Sequence, residues 1–136
     1  MQKEDLAFLI VDDNETIQHL FIQALEFKGY EVHATGHSTR ALEILETKKI
    51  DMAFIDMVLK DESGLELYKK IKDINPNVHV VLMTGYAVED QIRQAMALGA
   101  FDYLYKPFDL SDIMSVVKKY VKQKGLKWAP EEWGKP

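Results

Sequence analysis

Four short apolar runs of this chain end in residues able to take part in ionic or phosphoryl chemistry: Val11-Asp12-Asp13, Ile55-Asp56, Met83-Thr84-Gly85 and Tyr105-Lys106-Pro107. Taken singly none is informative, because polar residues begin loops and an acid after a strand is commonly a helix cap. Taken together they supply three carboxylates, a hydroxyl and an ammonium at successive run ends. Clustered carboxylates repel one another, and a hard divalent cation relieves that repulsion. Magnesium takes oxygen ligands in an octahedral set, uses few carboxylates and keeps several waters. A carboxylate beside such an ion and facing a phosphate can act as a nucleophile, forming an aspartyl phosphate. Charge on the transferred phosphoryl oxygens then needs donors, and Lys106, Thr84 and the Gly85 amide are of the right kinds.

Such a cluster forms only if the runs are strands that end on one side of a sheet. Five stretches read as strands: Ala7–Val11, Glu31–Ala34, Met52–Ile55, His79–Met83 and Asp102–Tyr105. Apolar density without alternation suits strands buried on both faces of a parallel sheet. Between them the spacing turns helical. Ile17, Leu20, Phe21, Ala24 and Leu25 mark one apolar helix face, and Ile113, Val116, Val117, Tyr120 and Val121 repeat it. Weaker versions run through Ala41, Leu42 and Leu45, through Leu67, Ile71 and Ile74, and through Ile92, Ala95 and Met96. Gly29 and Gly99 stand where the first and fourth helices stop, and Asn75-Pro76-Asn77 breaks the third helix from the fourth strand. Ser38 and Ser111 are candidate N-caps. Strict alternation predicts an α/β fold with right-handed crossovers and one parallel sheet. The working site of such a sheet lies beyond the carboxyl ends of its strands. Asp56, ending the central strand, is then the preferred nucleophile.

Composition narrows the alternatives. A length of 136 residues suits one domain with a sizeable core. The net charge of -5 gives no electrostatic footprint for nucleic acid. The absence of cysteine excludes disulfides, thiolate zinc sites and cysteine nucleophiles. The start Met1-Gln2-Lys3-Glu4-Asp5 does not read as a secretory signal, and the run Leu6–Val11 is too short to span a bilayer. A cytoplasmic protein without membrane contact is expected. His19, His33, His37 and His79 share no metal-ligand spacing and read as surface or strand residues. Lys118, Lys119, Lys122, Lys124 and Lys127 read as a solvated helix end, favourably placed near a C-terminus.

Asp12-Asp13, Asp56, Thr84-Gly85 and Lys106-Pro107 resemble the signature set of the receiver domain of two-component response regulators, over roughly residues 6–124. The resemblance implies a single-domain (βα)5 flavodoxin-like fold with sheet order 2-1-3-4-5, a receiver over residues 1–124 and a tail or linker start over 125–136. It implies magnesium as cofactor and phosphorylation of Asp56 by a sensor histidine kinase or phosphotransfer protein. Asp13 would bind the metal directly, Asp12 mostly through water, and the Val58 carbonyl would be a further ligand beside Asp56. Thr84, Gly85 and Lys106 would hold the phosphoryl group, while Thr84 and Tyr103 would act as the switch. Gly64 falls where the family places a glycine. One departure is Lys60, where the family often has proline. Lysine restores an amide donor and frees the loop Val58–Ser63 to take its own path.

The implied output is a downstream effector domain or protein. A homodimer could form through the fourth helix, fifth strand and fifth helix, pairing Glu89, Asp90 and Arg93 with Lys118, Lys119 and Lys122. Two other functions fit parts of the pattern. A magnesium phosphohydrolase with an aspartyl nucleophile usually carries a second carboxylate two residues on, where this chain has Val58. A flavodoxin-like binding module needs a phosphate-cradling loop after the first strand, where Asp12-Asp13-Asn14-Glu15 would repel an anionic cofactor. By the resemblance, Val58 and Tyr86 would flank the water path to the phosphoryl group, and neither offers the carboxylate or amide that would position a water. Asp61 and Glu62 read as a solvated acidic loop. Trp128 and Trp133 either dock on the domain or a partner, or remain disordered.

Overall fold

The computed structural model describes residues 6–85 and 89–126, so Tyr86, Lys127, Trp128 and Trp133 lie outside the described residues. Strands β1 (Ala7–Val11), β2 (Glu31–Thr35), β3 (Met52–Asp56), β4 (His79–Thr84) and β5 (Asp102–Tyr105) alternate with helices. The helices are α1 (Glu15–Phe27), α2 (Ser38–Thr47), α3 (Gly64–Ile74), α4 (Glu89–Ala97) and α5 (Leu110–Gln123). All neighbouring strands are parallel, in the order β2-β1-β3-β4-β5. Their carboxyl ends therefore share one edge, with Asp56 ending the middle strand. Among the described residues no helix is long and apolar enough to cross a membrane.

The unbroken apolar runs reflect a sheet covered on both faces. Leu9, Val11, Ala53, Ile55, Val80 and Leu82 pack with α2, α3 and Ala95 of α4. The alternate residues Phe8, Ile10, Phe54, Val81 and Met83 pack with α1 and α5. Each Val, Leu, Ile, Phe or Met side chain among these contributes about 1.5–3 kcal/mol relative to exposure. Two-sided burial holds for β1, β3 and most of β4 but not for the edge strands. β2 is only partly covered, and Tyr103 and Tyr105 of β5 are exposed.

Helix ends follow local chemistry, with corrections to the sequence reading. Asn14 Oδ1 caps α1 by accepting from the Ile17 amide at 3.1 Å, and Ser63 Oγ caps α3 through the Glu66 amide at 3.1 Å. Asp109, not Ser111, caps α5, in a reciprocal capping box with Asp112. Ser38 is the first residue of α2 rather than its cap, because its amide and hydroxyl are both engaged by Asp61. Gly29 and Gly99 adopt positive φ at the ends of α1 and α4, as expected. Ile74 and Met96 turn outward. Tyr68 is instead buried on α3, with its hydroxyl donating to the Leu98 carbonyl at 3.1 Å.

The turn leaving β3 is tight. The Gly64 amide donates to the Met57 carbonyl at 2.9 Å, and a Cβ at residue 64 would lie 2.6 Å from Met57 Cα and closer still to the Asp56 carbonyl. A Cβ at Gly85 would meet only the Lys106 side chain, at 3.5 Å. Gly64→Ala is therefore expected to cost about 3 kcal/mol by overpacking and Gly85→Ala much less. Urea denaturation of both variants checks this; equal midpoints would contradict it. At the opposite edge His79 Nδ1 donates to the Asn77 carbonyl at 3.2 Å, and its ring packs edge-on against Phe101 and Tyr120. Burial there pushes the His79 pKa down, helped by Lys124 and Lys72. With the folded pKa below the unfolded one, acidification favours the unfolded chain. The stability contribution is complete above the unfolded value, near 6.5, and is lost over the interval from there down to the depressed folded value. His79→Gln should flatten stability across that interval, as urea midpoints at each pH would show.

Candidate functional site

An open cleft of about 730 Å³ lies over the carboxyl edge of the sheet, lined by Asp12, Asp13, Asp56, Val58, Gly85 and Lys106, with Asn14 and Lys60 at its margin. Lys106, just past β5, reaches back over the inner strands. Its Nζ donates to Asp56 Oδ2 at 2.9 Å and lies 2.8 Å from Asp12 Oδ2. Asp12 is 1% exposed and Asp56 7%, so both carboxylates are buried at the cleft floor. Backbone donors hold their other oxygens. The Asn14 amide donates to Asp12 Oδ1 at 2.8 Å, and the Val58 amide to Asp56 Oδ1 at 3.0 Å. The Lys106 amide donates to the Thr84 carbonyl at 2.6 Å, tying the exit of β5 to that of β4.

The electrostatics follow from burial and pairing. Burial pushes the Asp12 carboxyl up from the usual carboxylate range, and the Lys106 ammonium and Asn14 amide only partly offset this. Burial opposes the charge on Lys106, yet Asp12 and Asp56 together outweigh it and hold its pKa above the ordinary lysine range. Lys106 is thus a fixed cation.

The donor set suits a hard cation. Asp12 Oδ2 is buried and, its ion pair with Lys106 apart, accepts no hydrogen bond. A buried carboxylate oxygen whose partner is a single ammonium keeps lone-pair capacity and is the kind of ligand a divalent ion takes. The cage is not closed, however. Among the described residues no three histidine or acidic side chains converge as a ready metal site. Asp13 Oδ2 instead accepts from the Lys60 amide at 3.1 Å. An ion with few carboxylate ligands and several waters matches an open cleft of this kind.

The expected residues Asp12, Asp13, Asp56, Val58, Gly85 and Lys106 meet in one cleft, while two others lie apart from it. Thr84 is fully buried at the end of β4 and does not line the cleft. Tyr103 is 39% exposed on the outer edge, its ring edge-on to Tyr105 at 5.3 Å. Asp61 and Glu62 are not simply solvated: Asp61 binds Ser38, and Glu62 pairs with Lys70 at 2.5 Å. Asn14 and its role beside Asp12 were missed, although an Asn directly before a helical run is a readable cap signal. Of the charges expected across a dimer face, Lys119 is engaged within the chain by Asp102 at 3.0 Å, and Arg93 pairs with Asp90.

Residues 8–118 match the family model of the response regulator receiver domain. The chain belongs to that family. Sporulation initiation phosphotransferase F of Bacillus subtilis is 34% identical over 113 residues, covering 83% of this chain and 91% of that relative. The DNA-binding transcriptional regulator NtrC of Azospirillum brasilense is 35% identical over 113 residues, but this chain spans only 24% of its length. A CheY-like receiver domain protein of Methanospirillum hungatei superposes with a TM-score of 0.84 at 30% identity, over 89% of this chain and 97% of that one. A response regulator of Burkholderia pseudomallei, with a phosphorylated aspartic acid, calcium ion and citrate, superposes with a TM-score of 0.77 at 30% identity. It is matched over 89% of this chain and 71% of that one. The sheet order read from the resemblance is the observed one. As a receiver domain the chain belongs to two-component signalling, in a family of switches rather than turnover enzymes.

Lys106 bridges the two buried acids of this cleft. Replacing it by Met should cost about 2 kcal/mol, because a partly buried pair loses one partner. Adding Asp56→Asn should recover part of that loss. A double-mutant cycle in urea checks the coupling, and strictly additive effects would contradict it.

Proposed function

We propose that this receiver takes a phosphoryl group on Asp56 from the phosphohistidine of a sensor kinase or phosphotransfer protein, with magnesium, and presents a changed surface to an effector. The observation carrying this reading is the convergence of Asp12, Asp56 and Lys106 in a cleft open to a phosphodonor. Asp56 Oδ2 attacks phosphorus, and the phosphohistidine nitrogen leaves with the bonding pair. The Val58 amide fixes Asp56 Oδ1, which leaves Oδ2 as the reacting oxygen. Lys106, already on that oxygen, neutralises charge as it develops on the phosphoryl group. Asp12, Asp13, Asp56 and the Val58 carbonyl would hold magnesium, which when bound shields the carboxylates and polarises the phosphoryl oxygens.

Switching is assigned to Thr84 and Tyr103. Thr84 turns from its buried position toward the phosphoryl group, and the exposed Tyr103 ring moves inward, shifting the α4-β5-α5 surface. The contacts made only by the phosphorylated state supply the bias. That surface is the candidate dimer or effector face. An enzyme turning over phosphate esters is disfavoured, since Val58, 48% exposed beside Asp56, offers no second carboxylate.

With magnesium and acetyl phosphate, intact-mass measurement should show one acid-labile phosphoryl group, lost in Asp56→Asn. Undiminished labelling of that variant would sink the assignment. Lys106→Ala should keep partial labelling while losing most amide NMR shifts that accompany phosphorylation. Shifts like those of the parent would remove Lys106 from the coupling. Self-dephosphorylation should be slow, because the Val58 side chain cannot orient an attacking water. A Val58→Asn, Tyr86→Glu variant is expected to lose phosphate at least about tenfold faster; equal rates in a timed assay would refute this gating.

A further inference from the structure

The Lys60 amide donates to Asp13 Oδ2 at 3.1 Å, joining the loop after β3 to the end of β1. The direction of this amide is imposed by its surroundings. Val58 and Ser63 form an antiparallel bridge, and Leu59 is buried in the apolar layer under α2 and α3. Asp61 Oδ2 accepts from both the amide and hydroxyl of Ser38 at 3.0 Å, and Glu62 pairs with Lys70. On its other side Asp13 is confined by Gly36, where a Cβ would stand 3.3 Å from Asp13 Cα and 3.5 Å from Asp13 Oδ1. Asp12 and Asp56 meet at Lys106, while the carboxylate of Asp13 is engaged elsewhere.

We propose that the Lys60 backbone amide is a latch that competes with magnesium for the Asp13 carboxylate and so sets how much magnesium the site requires. This rests on the reading of Asp13 as a metal ligand. A charge-assisted N–H···O⁻ bond is among the stronger hydrogen bonds, and a dication drawing on the same carboxylate weakens it. Whatever part of that bond magnesium displaces from Asp13 Oδ2 is subtracted from metal binding. The exposed Lys60 side chain is not the agent. Any residue with an amide hydrogen would serve, whereas proline would not. The latch also links metal occupancy to the loop anchored on α2 through Asp61, so the loop is expected to loosen as magnesium binds.

The decisive comparison is Lys60→Pro against Lys60→Gln, which both remove the lysine charge and differ in the amide. Magnesium chloride titrations followed by amide NMR shifts should give a dissociation constant about three- to tenfold lower for Lys60→Pro. In the unaltered chain the Lys60 amide should exchange faster with deuterium at saturating magnesium. Equal affinities, or tighter binding by Lys60→Gln, would overturn the latch while leaving the metal reading intact. No magnesium binding by the unaltered chain would overturn both. If Lys60→Pro does not fold, unchanged or slower exchange of the Lys60 amide on magnesium saturation overturns the latch by itself.

Discussion

The position of the Lys106 ammonium between two buried carboxylates is the constraint around which the site is organised. Two acids at the floor of a cleft are costly unless a cation answers them, and removing one partner of such a group leaves an uncompensated charge. Asp12 and Asp56 come from adjacent inner strands, and Lys106 from the loop beyond an edge strand. The parallel sheet, with its strands ending at one edge, brings both within 3 Å of Lys106 Nζ. The two apolar layers, the cap at Asn14 and the bond from the Lys106 amide to Thr84 all serve to keep that edge in place.

The same arrangement explains how a local charge change can reach a distant surface. Lys106 and Thr84 sit at the exits of neighbouring strands and are joined through the backbone. A phosphoryl group on Asp56 Oδ2 would make that oxygen a bridge and add three acceptors beyond it, which Lys106 would follow. Under the proposed switch, movement at either exit would pass to the surface around β5, because the core beneath the inner strands is packed on both faces and deforms little. Between two arrangements of these exits, the differential contacts of the phosphoryl group decide the population.

Much of this was legible in the chain because the signals were redundant. Five apolar runs, four of them followed by a chemically distinctive residue, placed strands and site together, and Gly29 and Gly99 marked helix ends that take positive φ. Burial on β2 and β5 was overestimated, because an apolar run does not say whether its strand is at the edge. Ser111 reads as a cap although Asp109 is the one, because either side chain can cap a helix and the choice depends on the path entering α5. The pairings of Lys60 with Asp13 and of Ser38 with Asp61 join residues 47 and 23 positions apart. No periodicity or motif records such contacts, since they depend on how a loop with an amide at residue 60 folds back over the site.

The most direct test of the central claim is a crystal structure of the chain with magnesium and beryllofluoride, a phosphoryl mimic that bonds to a carboxylate oxygen. The account requires beryllium on an Asp56 oxygen, with the Lys106 ammonium moved from that oxygen onto a fluoride. Beryllofluoride bound at another residue, or Lys106 still bridging Asp12 and Asp56 beneath it, would contradict the account.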